Sequence, residues 1–335
     1  MHAMLINRHH RRPGHRADHR THHRMRRLAV TLALAMLPAA ALFAQGSAQA
    51  APVEAEGTVA GASAPPVSDP TPPSSPPRAE VVYDSIPADL PPNVTSLGYQ
   101  ATGTSEFGDE VGLTGAHKRK LRSVEVVLSS WACESGRWNT NDCRTTAGAT
   151  FSHPVTVTVF AVDNSGPTPV PGALLASQTQ LTEIPYRPSA DPVNCTGPNA
   201  GRWYDATTGG CYNGIAHPVT FTFDGSTTLP DEVIWTVSFN TTGYGDSPIG
   251  TGAPCYSTVQ GCPYDALNVG VQGFPGSPYV GVDIDPDGVF LDSANGSSYC
   301  DGGAAGTGFL RLDSPCWTDL RPLATITAGK PHGKK

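Results

Sequence analysis

From His153 to Asp163 the chain reads His-Pro-Val-Thr-Val-Thr-Val-Phe-Ala-Val-Asp. Val155, Val157, Val159 and Ala161 alternate with Thr156, Thr158, Phe160 and Val162. That is the two-residue period of a β-strand with one face turned to a core. A near echo follows at His217-Pro218-Val219-Thr220-Phe221-Thr222-Phe223-Asp224, with Val219, Phe221 and Phe223 on the inward side. The likeness ends after these few residues, and two strands meeting the same steric demand explain it as well as duplication does. Both runs point to an all-β protein.

The rest of the chain follows that lead. Strands are predicted at Glu80–Asp84, Thr95–Thr102, Ser105–Leu113 and Arg122–Ala132, and in the row Val233, Trp235, Val237 and Phe239. Further strands are predicted at Asp265–Gln272, Tyr279–Asp283, Val289–Asp292, Gly308–Leu312 and Ala324–Thr327. Leu174 and Leu175 lend the run Ala173–Tyr186 some helical potential. Its later half fits a strand, with Gln178, Gln180 and Thr182 facing away from Thr179 and Leu181. About a dozen short strands separated by turn signals, with no amphipathic helix, predict a single β-sandwich of jelly-roll type.

The N-terminus has a different character. Eight arginines lie within residues 1–27, Leu28–Ala44 is almost wholly apolar, and Ala48-Gln49-Ala50 has the small-x-small form of a cleavage site. Residues 1–50 therefore have the pattern of a secretory signal peptide, and Met25 is an alternative start that would make it more compact. Pro38 and the short apolar run argue against a retained span, which needs about 20 residues. Residues 51–79, rich in Pro, Ala and Ser, are expected to form a disordered tether. The folded domain is expected over 80–329, with a flexible basic tail at 330–335.

The whole chain carries a formal charge of −7, but residues 1–50 hold 8 of its 22 Lys and Arg and 1 of its 29 Asp and Glu. Without them 14 basic residues face 28 acidic ones, a charge of −14. This argues against nucleic acid or an anionic membrane as a partner. The 8 cysteines, Cys133, Cys143, Cys195, Cys211, Cys255, Cys262, Cys300 and Cys316, all lie in this part. An even count in an exported chain predicts disulfides, four in all with 105 pairings open, of which the sequential one is favoured since each neighbouring pair brackets a Gly/Asn/Thr/Ser-rich loop. A zinc site is the alternative, though no C-x-x-C occurs.

Ile184-Pro185-Tyr186-Arg187-Pro188-Ser189-Ala190-Asp191 with Cys195 and Cys211 behind it, Asn240–Gly245, and Leu267-Asn268-Val269-Gly270 resemble segments of a family of exported bacterial proteins without assigned activity. The likeness spans most of Val81–Ala328. It implies a secreted β-sandwich and supplies no activity. Such proteins often end in a surface-anchor signal, but Leu320-Arg321-Pro322-Leu323-Ala324-Thr325 is not a sortase motif and no apolar tail follows it.

Three groups of residues are candidate sites. Asp283-Ile284-Asp285-Pro286-Asp287-Gly288 has the spaced carboxylates of a calcium loop, but Ala294 stands at the twelfth position, which excludes an EF-hand. A β-hairpin turning at Pro286-Asp287-Gly288 is the favoured reading. A non-EF calcium site from Asp283, Asp285, Asp287 and Asp292, or completed by Asp301, is the alternative. The loop aromatics Trp138, Trp203, Tyr204, Tyr212 and Tyr244 would stack on sugar rings if exposed together, or roof the disulfides if not. Gly245-Asp246-Ser247 resembles an esterase motif but lacks a following helix and a D-x-x-H partner.

A glycoside hydrolase would need two facing carboxylates, with Glu134, Glu183, Asp191, Asp231 and Glu232 as candidates. Sequons at Asn93, Asn194, Asn240 and Asn295 matter only in a host that glycosylates. These features favour a secreted, non-catalytic β-sandwich binding carbohydrate or another extracellular ligand, with no required cofactor. A structural cell-envelope protein and a glycoside hydrolase are the alternatives.

Overall fold

A computed structural model describes residues 79–115, 119–245, 261–273 and 278–329. The expected signal peptide, the tether up to residue 78, the tail 330–335, Asp246, Ser247 and Cys255 lie outside these. Ala79, assigned to the tether, instead opens the first strand.

Seventeen strands follow along the described residues. The first four are β1 (Ala79–Asp84), β2 (Thr95–Gly98), β3 (Thr104–Gly112) and β4 (Arg119–Ser130), with one helical turn, α1 (Tyr99–Thr102), after β2. Next come β5 (Thr150–Asp163), β6 (Val170–Pro185), β7 (Trp203–Asp205), β8 (Gly210–Tyr212), β9 (Ile215–Thr222), β10 (Thr228–Leu229) and β11 (Glu232–Ser238). The last are β12 (Leu267–Gly273), β13 (Val282–Asp283), β14 (Val289–Ser293), β15 (Arg311–Asp313), β16 (Leu320–Pro322) and β17 (Ala324–Gly329). Every pairing among them is antiparallel. Among the described residues no helix is long and apolar enough to cross a membrane.

The run from His153 is the body of β5, and Val155, Val157 and Val159 are fully buried, as the alternation requires. It belongs to a sheet ordered β15-β14-β3-β11-β5-β6, while β9, the echoing strand, lies in the other large sheet. There β9 flanks β4, whose opposite edge takes β17 along Lys120–Val126 and β12 along Leu128–Ser130. Leu323 parts β4 from β12: its carbonyl accepts from Val127 N and its N–H donates to Gly270 O. Val124, Val126, Leu128, Val219 and Phe221 of this sheet and Val155, Val157, Val159, Val233 and Val237 of the other form one continuous buried cluster. Each such side chain contributes about 1.5–3 kcal/mol on leaving water.

Three expectations change. Residues 170–185 are strand throughout, because the full length of β5 supplies backbone partners. Leu174 and Leu175 then fall on opposite faces, Leu174 61% exposed and Leu175 packed on the core. The predicted strand Thr95–Thr102 breaks after Gly98 into α1, which ends where Gly103 takes φ 69° and donates to Tyr99 O. The hairpin predicted at Pro286–Gly288 is absent. A turn is present, closed by Gly288 N donating to Asp285 O at 2.8 Å, but β13 and β14 do not pair. Both lie along the same edge of β3, Val282 opposite Gly112 and Phe290 opposite Gly108, so the turn is an excursion within one edge.

Disulfides join Cys133 to Cys143, Cys195 to Cys211 and Cys300 to Cys316, as sequential pairing predicts. Cys262 is also disulfide-bonded. Oxidised sulfurs offer no thiolate to zinc, which removes the zinc alternative for these residues. The same holds where Cys300, Cys316 and Asp313 come together. There Asp313 accepts from Cys300 N and from Trp317 Nε1.

Candidate functional site

The loops at one end of the two sheets hold the aromatic candidates. β4 runs out at Ser130, and Trp131 N donates to Ala266 O, which ties it to the turn preceding β12. The chain then enters the loop closed by Cys133–Cys143. Beside it lies the loop closed by Cys195–Cys211, held by Arg187. The Arg187 N–H donates to Ala132 O at 2.8 Å, Nη2 to Gly201 O at 2.6 Å and Nε to Pro188 O at 3.2 Å. Arg187 is wholly buried, and that burial pushes its pKa down to about 10. A guanidinium serves here because its planar fork reaches two loop carbonyls at once, Pro188 O and Gly201 O.

Between Trp131 and the turn Gly261–Ala266 lies a cleft of about 190 Å³. Trp131, Trp138, Arg137, Asn139, Pro263 and Asp265 line it. Trp138 stands edge-on to Trp131, with ring centroids 4.8 Å apart and planes at 85°. Trp138 is 36% exposed and Trp131 half-buried, so indole surface reaches solvent. Asp265 accepts from Thr242 N and Thr242 Oγ1, both at 2.8 Å, and burial raises its pKa. Tyr264, between the lining residues Pro263 and Asp265 in the chain, is buried and stacks on His153, with centroids 4.6 Å apart at 11°. His153 Nε2 lies 2.8 Å from Asn240 O; a carbonyl only accepts, so Nε2 carries the proton. Burial lowers the His153 pKa.

The aromatics do not form one flat platform. Trp203 belongs to β7, is 5% exposed and donates its Nε1–H to Gly214 O at 2.8 Å. Its ring is tilted 46° from that of Tyr212. Tyr204 and Tyr212 are half-buried in the β7–β8 pair, and the Tyr212 hydroxyl meets Thr208 Oγ1. Tyr244 packs over Gly103. Of the predicted aromatics only Trp138 lines the cleft, beside Trp131, which the sequence argument left at the end of a strand. The available signal was its position, an aromatic leaving a strand two residues before a cysteine loop.

The carboxylates proposed for hydrolysis are dispersed and locally satisfied. Glu134 accepts from Thr146 N, Glu183 from Thr150 and Ser152 hydroxyls, and Asp191 from the N–H groups of Val193 and Asn194. These bonds hold all three below the usual carboxylate range, the wrong direction for a general acid. Asp231 pairs with Arg119 at 3.0 Å, and Glu232 begins β11. Asp265 is the one carboxylate among the described residues lining the cleft.

The calcium quartet is also divided. Asp283 turns inward and pairs with Arg321 at 2.7 Å, both nearly sealed from solvent. Asp109, 2% exposed on the core side of β3, has its pKa raised by burial and by Asp283, which Arg321 partly offsets. Asp292 lies opposite Glu106, farther along β3, and Asp287 N donates to Asp285 within the turn. No known protein family, curated protein or solved structure matches this chain.

Proposed function

We propose that this protein is an exported, non-catalytic β-sandwich of jelly-roll type that binds carbohydrate at the Trp131–Trp138 cleft. The proposal includes kinship with the exported bacterial proteins it resembles. The observation that carries it is the edge-on indole pair of partly exposed Trp138 on half-buried Trp131, with Arg137, Asn139 and Asp265 around it. Indole faces cover the apolar faces of sugar rings, and the polar rim offers both donors and acceptors to hydroxyls. The cleft is smaller than the roughly 300–1,000 Å³ usual for small-molecule sites, which suits one unit of a chain whose remainder runs outside.

The test is affinity electrophoresis against a panel of soluble cell-wall and plant polysaccharides, with tryptophan fluorescence on any hit. Binding by the parent chain, weakened about tenfold or more in Trp138→Ala and retained in Trp203→Phe, is expected. Binding unchanged by Trp138→Ala removes the cleft from the reading. A second reading, a structural cell-envelope protein without a specific ligand, is favoured by the burial of Trp203, which packs a loop instead of facing solvent. Retention on intact cells with no polysaccharide bound would select it.

A further inference from the structure

We propose that Glu110, Glu232 and Asp285 form a binding site for a calcium-class divalent cation on the outward face of the β3–β11 pair. Strand register puts the first two together. Phe107, Asp109 and Val111 are the core-side residues of β3, so Glu110 and Gly112 face outward. Glu232 lies opposite Gly112 and Ile234 opposite Glu110, which makes Glu232 the diagonal neighbour of Glu110 on one face. The third carboxylate arrives with the excursion between β13 and β14. Ile284 N donates to Glu110 O at 3.2 Å, which brings the Asp285 turn against the same stretch of β3.

An acidic cluster alone is often only a solvated surface. Glu110 differs, because it is 3% exposed and its Oε2 has no hydrogen-bond partner. An unpartnered buried carboxylate oxygen is costly. Its neighbours add to that cost, because Glu232 is its diagonal neighbour on the same face and the turn carrying Asp285 is tied to Glu110 O through Ile284 N. A hard dication with oxygen ligands would supply the missing partner and reverse the repulsion. The carboxylates of the trio are not all within 4.8 Å of one another, since the Cys300–Asp313–Cys316 group alone meets that distance among the described residues. Closure therefore requires Asp285, half-buried on its turn, to swing toward Glu110. The sequence pattern pointed to this turn, and the proposal keeps its Asp285 while placing Glu110 of β3 and Glu232 of β11 where that pattern had Asp283, Asp287 and Asp292.

The test is isothermal titration of the full chain, stripped with EDTA, with CaCl2, alongside thermal unfolding at each Ca2+ concentration. One saturable site is expected, with a melting temperature that rises with Ca2+. Glu110→Gln and Asp285→Asn should each weaken binding about tenfold or more, while Asp287→Asn leaves it unchanged. Metal-free Glu110→Gln should melt above the metal-free parent, which shows that the variant folds and that the repulsion was real. Absence of saturable heat up to about 10 mM Ca2+, beyond the weakest extracellular calcium modules, overturns the site. So does undiminished binding by Glu110→Gln. In either case Glu110 holds a proton where the cation was placed.

Discussion

The two cysteine loops at the same end of the molecule have similar composition and opposite construction. In the Cys195–Cys211 loop the tryptophan lies in a short strand pair, sealed, with its N–H given to Gly214 O. In the Cys133–Cys143 loop Trp138 remains 36% exposed, propped edge-on against Trp131. A buried indole whose single donor is satisfied has its interactions complete inside the protein. A propped, half-exposed indole keeps a face for something else. The first loop therefore uses its tryptophan for packing, and the second leaves its tryptophan partly open to solvent.

The sharpest way to break this contrast is to truncate both tryptophans. Trp203→Ala should cost about 3–5 kcal/mol, from lost burial and the cavity left behind, measured by urea denaturation. Equal losses from Trp203→Ala and Trp138→Ala would erase the distinction. Opening the Cys195–Cys211 bridge with paired serines should cost about 2–4 kcal/mol, and opening Cys133–Cys143 somewhat less, because it closes the shorter loop, 10 residues against 16. Arg187→Met should cost about 1–3 kcal/mol, as Gly201 O loses its buried donor. Hydrogen exchange should then quicken in the Cys195–Cys211 loop before it does in β5.

The pH dependence sharpens the contrast further. His153, stacked on Tyr264, has a folded pKa lowered from 6.5 by burial, so the native state binds its proton less readily than the unfolded chain. Its contribution is complete above 6.5 and is lost as pH falls through the depressed value. Stability of the parent should decline over that acidic window and that of His153→Phe should decline less, as followed by melting temperature against pH. Trp138→Ala is the smallest expected effect on stability, below about 1 kcal/mol, while its effect on ligand binding should be the largest of any single substitution in the cleft.

Periodicity was a sufficient guide where one face of a strand is buried and the other is not. The inward rows Val155–Val159 and Val233–Val237 and the burial of Val219 and Phe221 follow from alternation alone. It failed where both choices looked alike in sequence. Leu174 and Leu175 suited a helix until the length of β5 supplied strand partners, and Pro286-Asp287-Gly288 suited a hairpin until β3 took both flanking segments along one edge. Trp131 went unnoticed for a related reason: a strand pattern carries no mark of where the strand leaves the sheet.

By itself the sequence determined the class of the fold and its inward rows, because a two-residue period depends on near neighbours; it favoured sequential disulfides, and the structure selected three such pairs from the 105 pairings open to eight cysteines. Only the tertiary structure decided which acids and aromatics meet. It set β1 beside β17 and wedged Leu323 between β4 and β12. It sent Asp283 inward to Arg321 while tying the Asp285 turn to β3 through Ile284 N and Glu110 O, and it buried Trp203 while leaving Trp138 in the cleft. Those outcomes rest on contacts between residues far apart in the chain, and the local pattern of a strand is the same whichever distant partner it finds.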